Sequence, residues 1–507
     1  MLFNSYEFIF IFLPIVLFGF HFIGKHCRHR FAIAWLVGAS LFFYGWWNPA
    51  YLGLLLFSIV FNYSCGTSIN NVADGKISKK IILIIGIIIN LSVLGYFKYA
   101  NFFIDNLNVL TGTNIFLNEV ILPLGISFFT FQQITYLVDS YYNETKEYNF
   151  LHYCLFVTFF PQLIAGPIVH HKEMLPQYNN DSMYRIHSKN ITIGLTIFIL
   201  GLFKKVVLAD GISVYASPVF NAAEIGTQLT LFEAWVGAIA YSFQLYFDFS
   251  GYSDMAIGIA RMFGVKLPLN FNSPYKATNI SDFWRQWHMT LSRLIRDYLW
   301  DPISLTLTRH AINNNYNAFE MFSLTIVTPI LFSFFWIGLW HGAGWNFIIF
   351  GMIHGVYIII HNIWKTIFVN KTNFRINKTI AWLITFFAVS ISWVPFRAES
   401  INGAGNILAA MFGLDGISLS GSQLVNLGPG FIWILALLII ATKFPNTIQF
   451  MQKFQSHSDD YNYKEINVER SLLGWNLTTL WAIIIGIGFC IAIASITKTS
   501  EFLYFQF

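Results

Sequence analysis

Apolar segments of about 20 residues recur along almost the whole chain, and they constrain its fold more than any other feature. A helix of that length spans the hydrocarbon core of a bilayer and satisfies its own backbone hydrogen bonds there. Hydrophobic residues make up 56% of the sequence and charged residues only 11%, whereas a soluble domain carries about 25% charged residues. The sequence therefore predicts an all-α, polytopic membrane protein.

The apolar segments predict about 11–12 transmembrane helices in a single membrane domain over residues 1–507. They lie near 6–24, 31–47, 50–69, 81–97, 118–138, 190–208, 231–259, 320–340, 346–366, 379–396, 430–448 and 472–496. The apolar segment 150–170 contains Pro161, Gly166 and Pro167, so we expect a broken, re-entrant element there.

The distribution of basic residues predicts the orientation of these helices. If the N-terminus is extracytoplasmic, the loops facing the cytosol hold 25 of the 30 lysine and arginine residues. The loops predicted to lie outside hold only Lys98 and Arg397. No basic residue precedes the apolar stretch 8–23, so we expect an uncleaved first helix. The predicted location is the inner membrane, crossed many times.

The tryptophan-rich segment 281–294 contains the first of two histidines that we single out as functional candidates. An ionisable side chain at membrane depth is energetically expensive and is usually functional. We expect a continuous amphipathic helix here, capped by Ser281 with Asp282 in its first turn. One face of this helix would carry Trp284, Trp287, His288 and Leu291. A second face would carry Arg285, Ser292 and Arg296. An idle interfacial histidine is the alternative interpretation of His288.

The second candidate, His341, lies in the segment 334–347 between Trp340 and a run of glycines. We expect Gly338, Gly342 and Gly344 to leave room for a substrate to approach the backbone. A neutral imidazole at this position could take the proton from a hydroxyl group that attacks an acyl carbon. A core histidine bonded to a backbone carbonyl at a helix end remains the alternative.

Further polar residues interrupt apolar segments elsewhere in the chain. Asp248, Ser250 and Asp254 lie in one apolar helix and either face a cavity or form a clamp with Arg261 or Lys204. We interpret His354 and His361 as packing or pore-lining residues. The four cysteines form no CxxC pair, and His170–His171 has no third ligand, so the sequence predicts no metal site.

Several blocks of this sequence, in order, resemble the membrane-bound O-acyltransferase family. The chain resembles its bacterial branch in particular, which is typified by the membrane subunit of alginate O-acetylation. The matching blocks are LPLGISFFTFQQ (122–133), FFPQLIAGPI (159–168), QLYFDFSGYSDMAIG (244–258), NFNSPY (270–275), DFWRQWHMTLSRLIRDYLW (282–300), GLWHGAGWN (338–346) and VPFRAES (394–400). The core motifs span about 120–365, and C-terminal helices follow over about 379–507.

This resemblance implies a ring of tilted helices around a thinned centre, with a central tunnel. It implies that His341 is catalytic and that His288 is its polar partner. Gln286 and Thr290 stand where this branch commonly has Arg and Ser. The basic segment 261–309 would attract an anionic coenzyme A. Our candidate substrate- and donor-binding residues are Trp284, Arg285, Trp287, Arg296, Asp248 and Ser250.

The predicted function is transfer of an acyl group, acetyl in the first instance, from a cytosolic thioester to an extracytoplasmic polysaccharide such as alginate. Acetyl-CoA would be a donor substrate, and no bound cofactor or nucleic acid is expected. A periplasmic or extracellular SGNH-type acetyltransferase would complete the reaction. We expect it to dock on the loop 397–429, at the apolar stretch Ile407–Phe412. The alternatives are D-alanyl transfer to teichoic acid, O-acetylation of peptidoglycan or cellulose, and export of a polysaccharide or lipid.

Overall fold

The computed structural model describes residues 1–73, 76–118, 120–145, 149–369, 376–418, 424–454, 473–496 and 502–503. Over these ranges the secondary structure is helical and contains no β-strand, which confirms the all-α class. Among the described residues, seven helices are long and apolar enough to cross a membrane: Phe8–His26, Ala50–Asn71, Ile77–Thr111, Ser188–Glu224, Ala318–His341, Trp345–Ile367 and Lys378–Arg397. The protein is therefore polytopic.

The remaining predicted spans correspond to helices that are shorter or more polar. The helices His29–Gly45 and Ile126–Tyr141 have 17 and 16 residues. Two further short apolar helices are Leu427–Lys443 and Thr479–Ser495. The helix Leu231–Met262 has 32 residues, with Glu233 in its first turn and Arg261 in its last.

The described residues group into two compact units, and the first comprises Met1–Phe203, Tyr252–Leu269 and Leu477–Gln506. Its helices are α1 (Leu13–His26), α2 (His29–Gly45), α3 (Ala50–Asn71), α4 (Ile77–Leu94), α5 (Ala100–Thr111), α6 (Ile126–Tyr141), α7 (Phe150–Thr158), α8 (Phe160–Leu163), α9 (His171–Tyr178), α10 (Ser188–Phe203) and the end of α12 (Leu231–Met262). The C-terminal helix Thr479–Ser495, which we number α23 in chain order, packs against α10.

A buried chain of hydrogen bonds joins four helices of this unit. Asn90 on α4 bonds to Asn62 on α3, whose amide also donates to the Ser58 carbonyl. Gln133 on α6 donates to the Ser58 hydroxyl over 2.6 Å and accepts from Tyr153 on α7 over 3.0 Å. Polar side chains in apolar helices need such partners because unsatisfied groups are costly there.

The segment 150–170 is broken, as the sequence predicts. Helix α7 ends at Thr158, and the one-turn α8 follows with Pro161 near its start. A side chain at Gly166 would collide with the Gln162 backbone, so the turn after α8 requires glycine. Just beyond it, fully buried His171 bonds to Asp139 over 2.8 Å, which makes this histidine a helix-to-helix clamp.

The second unit comprises Lys204–Gly251 and Asn270–Asn476. Its helices are α11 (Asp210–Glu224), the start of α12, α13 (Ile280–Gln286), α14 (Met289–Ile295), α15 (Asp301–Asn313), α16 (Ala318–Phe322), α17 (Thr328–His341), α18 (Trp345–Trp364), α19 (Lys378–Arg397), α20 (Ile401–Met411), α21 (Leu427–Lys443) and α22 (Thr447–Phe450).

Gly338 and Gly342 serve packing, so our expectation that these two glycines make room for a substrate was wrong. A Cβ atom on Gly344 would meet only ordinary contacts, and the expectation for Gly344 stays a prediction. Helices α17 and α18 form a tight antiparallel pair. A Cβ atom on Gly338 would collide with the Phe347 carbonyl, and one on Gly351 would collide with the Phe334 carbonyl. Small residues let two helix backbones approach this closely in a membrane. Gly342 similarly lies against the Phe347 ring.

The proposed docking stretch Ile407–Phe412 is mostly buried, so it does not form an open surface. It lies largely in α20, which packs against α11 and α19. Ile407, Ala410 and Met411 are buried, and only Phe412 projects fully from the unit. Part of the predicted loop, residues 419–423, lies outside the described residues.

Candidate active site

The predicted helix 281–300 is interrupted at His288, the first candidate histidine. Helix α13 ends at Gln286, and α14 begins at Met289. His288 has a φ of 43°, a left-handed conformation that costs a residue with a side chain about 1–3 kcal/mol. Asn279, instead of Ser281, caps α13 by accepting the Asp282 N–H. The expected single continuous face was therefore wrong.

Asn270 holds His288 in this unusual position, and sequence reasoning missed its role. The Asn270 carbonyl accepts the Met289 N–H over 2.9 Å, while its side-chain oxygen accepts from the Thr290 hydroxyl over 2.9 Å. The same oxygen lies 3.0 Å from the Nδ1 atom of His288. Because an amide oxygen can only accept, Nδ1 carries the proton and Nε2 is the acceptor nitrogen of the neutral ring.

The surroundings of His288 keep its imidazole neutral. Phe249 contacts its ring edge-on at 4.8 Å between centroids. Burial lowers the pKa of His288 to about 3, because the charged form would lose its hydration. A general base works best with a pKa near the operating pH. His288 is therefore better suited to hold a hydrogen bond than to take up a proton.

His341 lies in the same unit and shares a neighbour with His288. The Trp340 ring lies 4.9 Å from that of His341 and 5.9 Å from that of His288, measured between centroids. Edge-on contacts with Phe396 and Phe350 enclose the rest of the His341 ring. One indole thus touches both candidate histidines, within an aromatic cluster that restricts their access to water.

The third histidine of this cluster, His354, is a hydrogen-bonded connector and not simply a packing or pore-lining residue. The Trp284 indole donates to its Nδ1 over 3.2 Å. Its Nε2 lies 2.8 Å from the Ser392 hydroxyl, which in turn donates to the Val389 carbonyl. His354 therefore carries its proton on Nε2 and ties α13 to α18 and α19. No local sequence signal marks this role, because Trp284 lies 70 residues earlier in the chain.

The remaining donor-binding candidates, on α13 and directly after α13 and α14, divide into buried and exposed groups. Trp287 is buried against Phe271 and Trp393, at 5.1 and 5.0 Å between ring centroids. The Arg285 and Arg296 side chains are 71% and 50% exposed and pair with neighbouring aspartates. These two arginines are accessible to a solute, whereas Trp284 and Trp287 are buried in the interior of the unit.

Asp248 and Ser250 are both buried on α12. Asp248 pairs with Lys205 over 2.6 Å, and Lys205 also pairs with Asp210 over 2.9 Å. The clamp expected for Asp248 exists, but its partner is Lys205 instead of Lys204 or Arg261. Lys204 donates instead to the Thr447 hydroxyl. The sequence did not distinguish Lys205 from Lys204, because two adjacent lysines carry the same charge and differ only in the helix face on which they lie.

We expect Asn270→Leu to lower activity about tenfold, with Asn270→Asp retaining more of it. Leucine removes the acceptor for His288 Nδ1, and one hydrogen bond to a buried group is worth about 1–3 kcal/mol. Aspartate keeps an acceptor at the same position. The measurement is the acyl-transfer rate of purified variants with matched melting temperatures. Equal rates for Asn270→Leu and the wild type would show that Asn270 does not position His288.

The chain is similar to known proteins along most of its length. A family model described as "MBOAT, membrane-bound O-acyltransferase family" matches residues 82–397. A peptidoglycan O-acetyltransferase of Helicobacter pylori is 40% identical over 100% of this chain and 98% of its own length. A probable alginate O-acetylase AlgI of Pseudomonas aeruginosa is 38% identical, covering 89% of this chain and 82% of that protein. A teichoic acid D-alanyltransferase of Streptococcus thermophilus is 27% identical over 57% and 70%, respectively.

The helical fold and these relatives together define an integral membrane enzyme that transfers acyl groups. The chain belongs to the membrane-bound O-acyltransferase family, because the family model covers well over half of its residues. The matched region begins before the block at 122–133 and ends at Arg397, in the last of the blocks that carried the resemblance.

Proposed function

We propose that this protein is an O-acetyltransferase that moves an acetyl group from a cytosolic thioester, acetyl-CoA, to a hydroxyl of an extracytoplasmic polysaccharide. The observation that carries the proposal is the aromatic cluster in which one indole contacts both His288 and His341. Two relatives that cover most of the chain are named as O-acetyltransferase or O-acetylase. We also propose that residues 1–507 form a single membrane domain, that the protein lies in the inner membrane, and that its N-terminus is extracytoplasmic.

His341 acts as the general base in this proposal. Its imidazole takes the proton of the acceptor hydroxyl while the oxygen attacks the thioester carbonyl carbon. The C–O bond forms and the C–S bond breaks, and the proton passes to the departing thiolate. His288, held by Asn270 with Nδ1 protonated, offers Nε2 as a hydrogen-bond acceptor that orients a substrate group. Enclosure by aromatic rings limits hydrolysis of the thioester.

Alginate and peptidoglycan are the acceptors that the names of the full-length relatives suggest. The D-alanyltransferase relative matches only 57% of this chain, so D-alanyl transfer is the weaker candidate. Cellulose remains a further possible acceptor. Polysaccharide or lipid export would give no role to a pair of enclosed histidines. A separate SGNH-type extracytoplasmic transferase would complete the reaction along a polymer whose saccharide units reach this protein only at the extracytoplasmic end of its site.

The Arg285→Ala/Arg296→Ala double variant should raise KM for acetyl-CoA about threefold to tenfold and leave kcat unchanged. These exposed arginines attract the phosphates of coenzyme A, and salt screens that attraction. KM measured between 50 and 500 mM salt should accordingly depend less on salt in the variant. Lys25→Ala/Arg28→Ala, which removes two exposed charges from the first unit, is the matched control. Identical KM values and salt slopes for both double variants would remove the reason for placing the donor here.

Product analysis tests the proposal as a whole. Purified protein in nanodiscs is given acetyl-CoA labelled in its acetyl group, with alginate or peptidoglycan fragments, with and without the SGNH-type protein. We expect label in alkali-labile O-acetyl esters of one polymer. Label transferred from a D-alanyl carrier but not from acetyl-CoA would replace acetyl transfer with D-alanyl transfer.

A further inference from the structure

The guanidinium group of Arg397, at the end of α19, has no acidic partner among the residues that the structure describes. The side chain is half-buried, and its guanidinium carbon lies 5.6 Å from the centre of the Phe220 ring on α11. Stacking on an aromatic ring fixes an arginine without neutralising it, because the planar donor edge stays available. Arg397 is therefore a positioned cation.

Two acids of the same unit, Glu224 and Asp248, have other partners. Glu224, one turn beyond Phe220, accepts the N–H groups of Glu399 and Ser400 over 2.7 and 3.2 Å. Its second oxygen accepts the Ser400 hydroxyl over 2.6 Å, so this carboxylate secures the start of α20. Asp248 is paired with Lys205. Neither acid forms an ion pair with the Arg397 guanidinium.

A second donor without an acceptor packs against the same Phe220 ring as Arg397. Tyr241 on α12 is fully buried, and its ring lies 5.4 Å from that of Phe220. Its hydroxyl has no hydrogen-bond partner within the described part of the chain. A buried hydroxyl without a partner is costly, and functional sites are where proteins retain such groups. The Arg397 guanidinium and the Tyr241 hydroxyl are therefore two donors without an acceptor in the described part of the chain.

Arg397 directly follows a residue that contacts the candidate catalytic histidine. Phe396, the residue before Arg397, contacts the His341 ring at 5.0 Å between centroids. On the basis of the proposed function, we propose that Arg397 and Tyr241 bind a carboxylate of the acceptor saccharide. A carboxylate matches the planar fork of an arginine and accepts two parallel hydrogen bonds. The position of Arg397, in a loop predicted to be extracytoplasmic and almost free of basic residues, agrees with the acceptor side.

Direct binding to the full-length protein in nanodiscs tests this site without relying on catalysis. The probes are a short oligouronate, a saccharide carrying a lactyl carboxylate, and carboxyl-reduced forms of both with the same ring hydroxyls. We expect the wild type to bind at least one acidic probe about tenfold more tightly than its reduced form. Which acidic probe is preferred identifies the source of the carboxylate. Arg397→Gln should abolish the preference, and Arg397→Lys should retain part of it.

Two further variants distinguish binding at this site from a general electrostatic effect and from the acyl-transfer reaction. Glu399→Gln changes the charge of an exposed neighbour by one unit in the opposite sense, so a general electrostatic field would raise the preference, whereas binding at Arg397 leaves it unchanged. The inactive His341→Phe variant should bind the acidic probe like the wild type, so loss of acyl transfer and loss of this site are distinguishable. Equal wild-type binding of acidic and reduced probes, or a preference that survives Arg397→Gln, would overturn the proposal.

Discussion

Replacing His341 by alanine should reduce acyl transfer by about 10²–10⁴-fold, the usual contribution of a general base. The hydroxyl nucleophile would then lose its proton acceptor, and His288, with a pKa of about 3, could not replace it. The measurement is the initial rate of acetyl transfer by purified variants whose insertion and melting temperature match the wild type. This is the largest effect on activity that we expect from one substitution.

Two further variants make this result interpretable. His341→Phe preserves ring volume among Phe350 and Phe396 but has no nitrogen, so it should be as inactive as alanine while packing better. His361→Ala removes a partly exposed histidine from the neighbouring helix α18 and should keep wild-type activity. A folded His341→Phe protein with most of its activity would show that another group is the base.

The largest effect on stability should come from Lys205→Met, which we expect to lower the free energy of unfolding by about 3–5 kcal/mol. Lys205 and Asp248 are each about 2% exposed, so the substitution leaves the Asp248 carboxylate buried without its cation. The second carboxylate, Asp210, is partly exposed and can be hydrated. Unfolding in a graded series of denaturing detergent, followed by tryptophan fluorescence, measures the change.

A double-mutant cycle isolates the buried pair. Lys205→Met/Asp248→Leu removes both charges and should recover much of the stability lost in Lys205→Met alone. Lys204→Met is the matched control, since the adjacent lysine bonds to the neutral Thr447 hydroxyl and should cost only about 1 kcal/mol. Equal losses for the two lysines, or no recovery in the double variant, would contradict the assignment of the clamp to Lys205.

The predicted elements that proved correct depend on local signals. Long apolar runs predict spans, and prolines interrupt the helix at 158–161 because proline removes a backbone donor. The segment 281–294 contains no proline or glycine and keeps helical periodicity, so its break at His288 could not be seen. That break depends on Asn270, 18 residues earlier in the chain, whose contacts form only in the folded protein.

Part of the candidate site was also predictable from local sequence signals. Tryptophan-flanked histidines at membrane depth point to His288 and His341, because a polar group there is expensive unless it is used. The roles of His354 and Tyr241 depend on which side chains face them across helix contacts. The glycines near His341 show most clearly what a sequence cannot distinguish. Substrate access and close helix packing both select glycine, so the residue type alone does not tell which of the two applies.

The central claim is transfer from a cytosolic donor to an extracytoplasmic hydroxyl, and a sided reconstitution tests it most directly. Proteoliposomes of known orientation receive labelled acetyl-CoA only on the side of Arg285 and Arg296, with the saccharide acceptor and the SGNH-type protein only on the other side. We predict labelled ester on the acceptor, none with His341→Phe, and none when the donor is moved to the acceptor side. Ester formation only when donor and acceptor share one side would contradict transfer across the membrane.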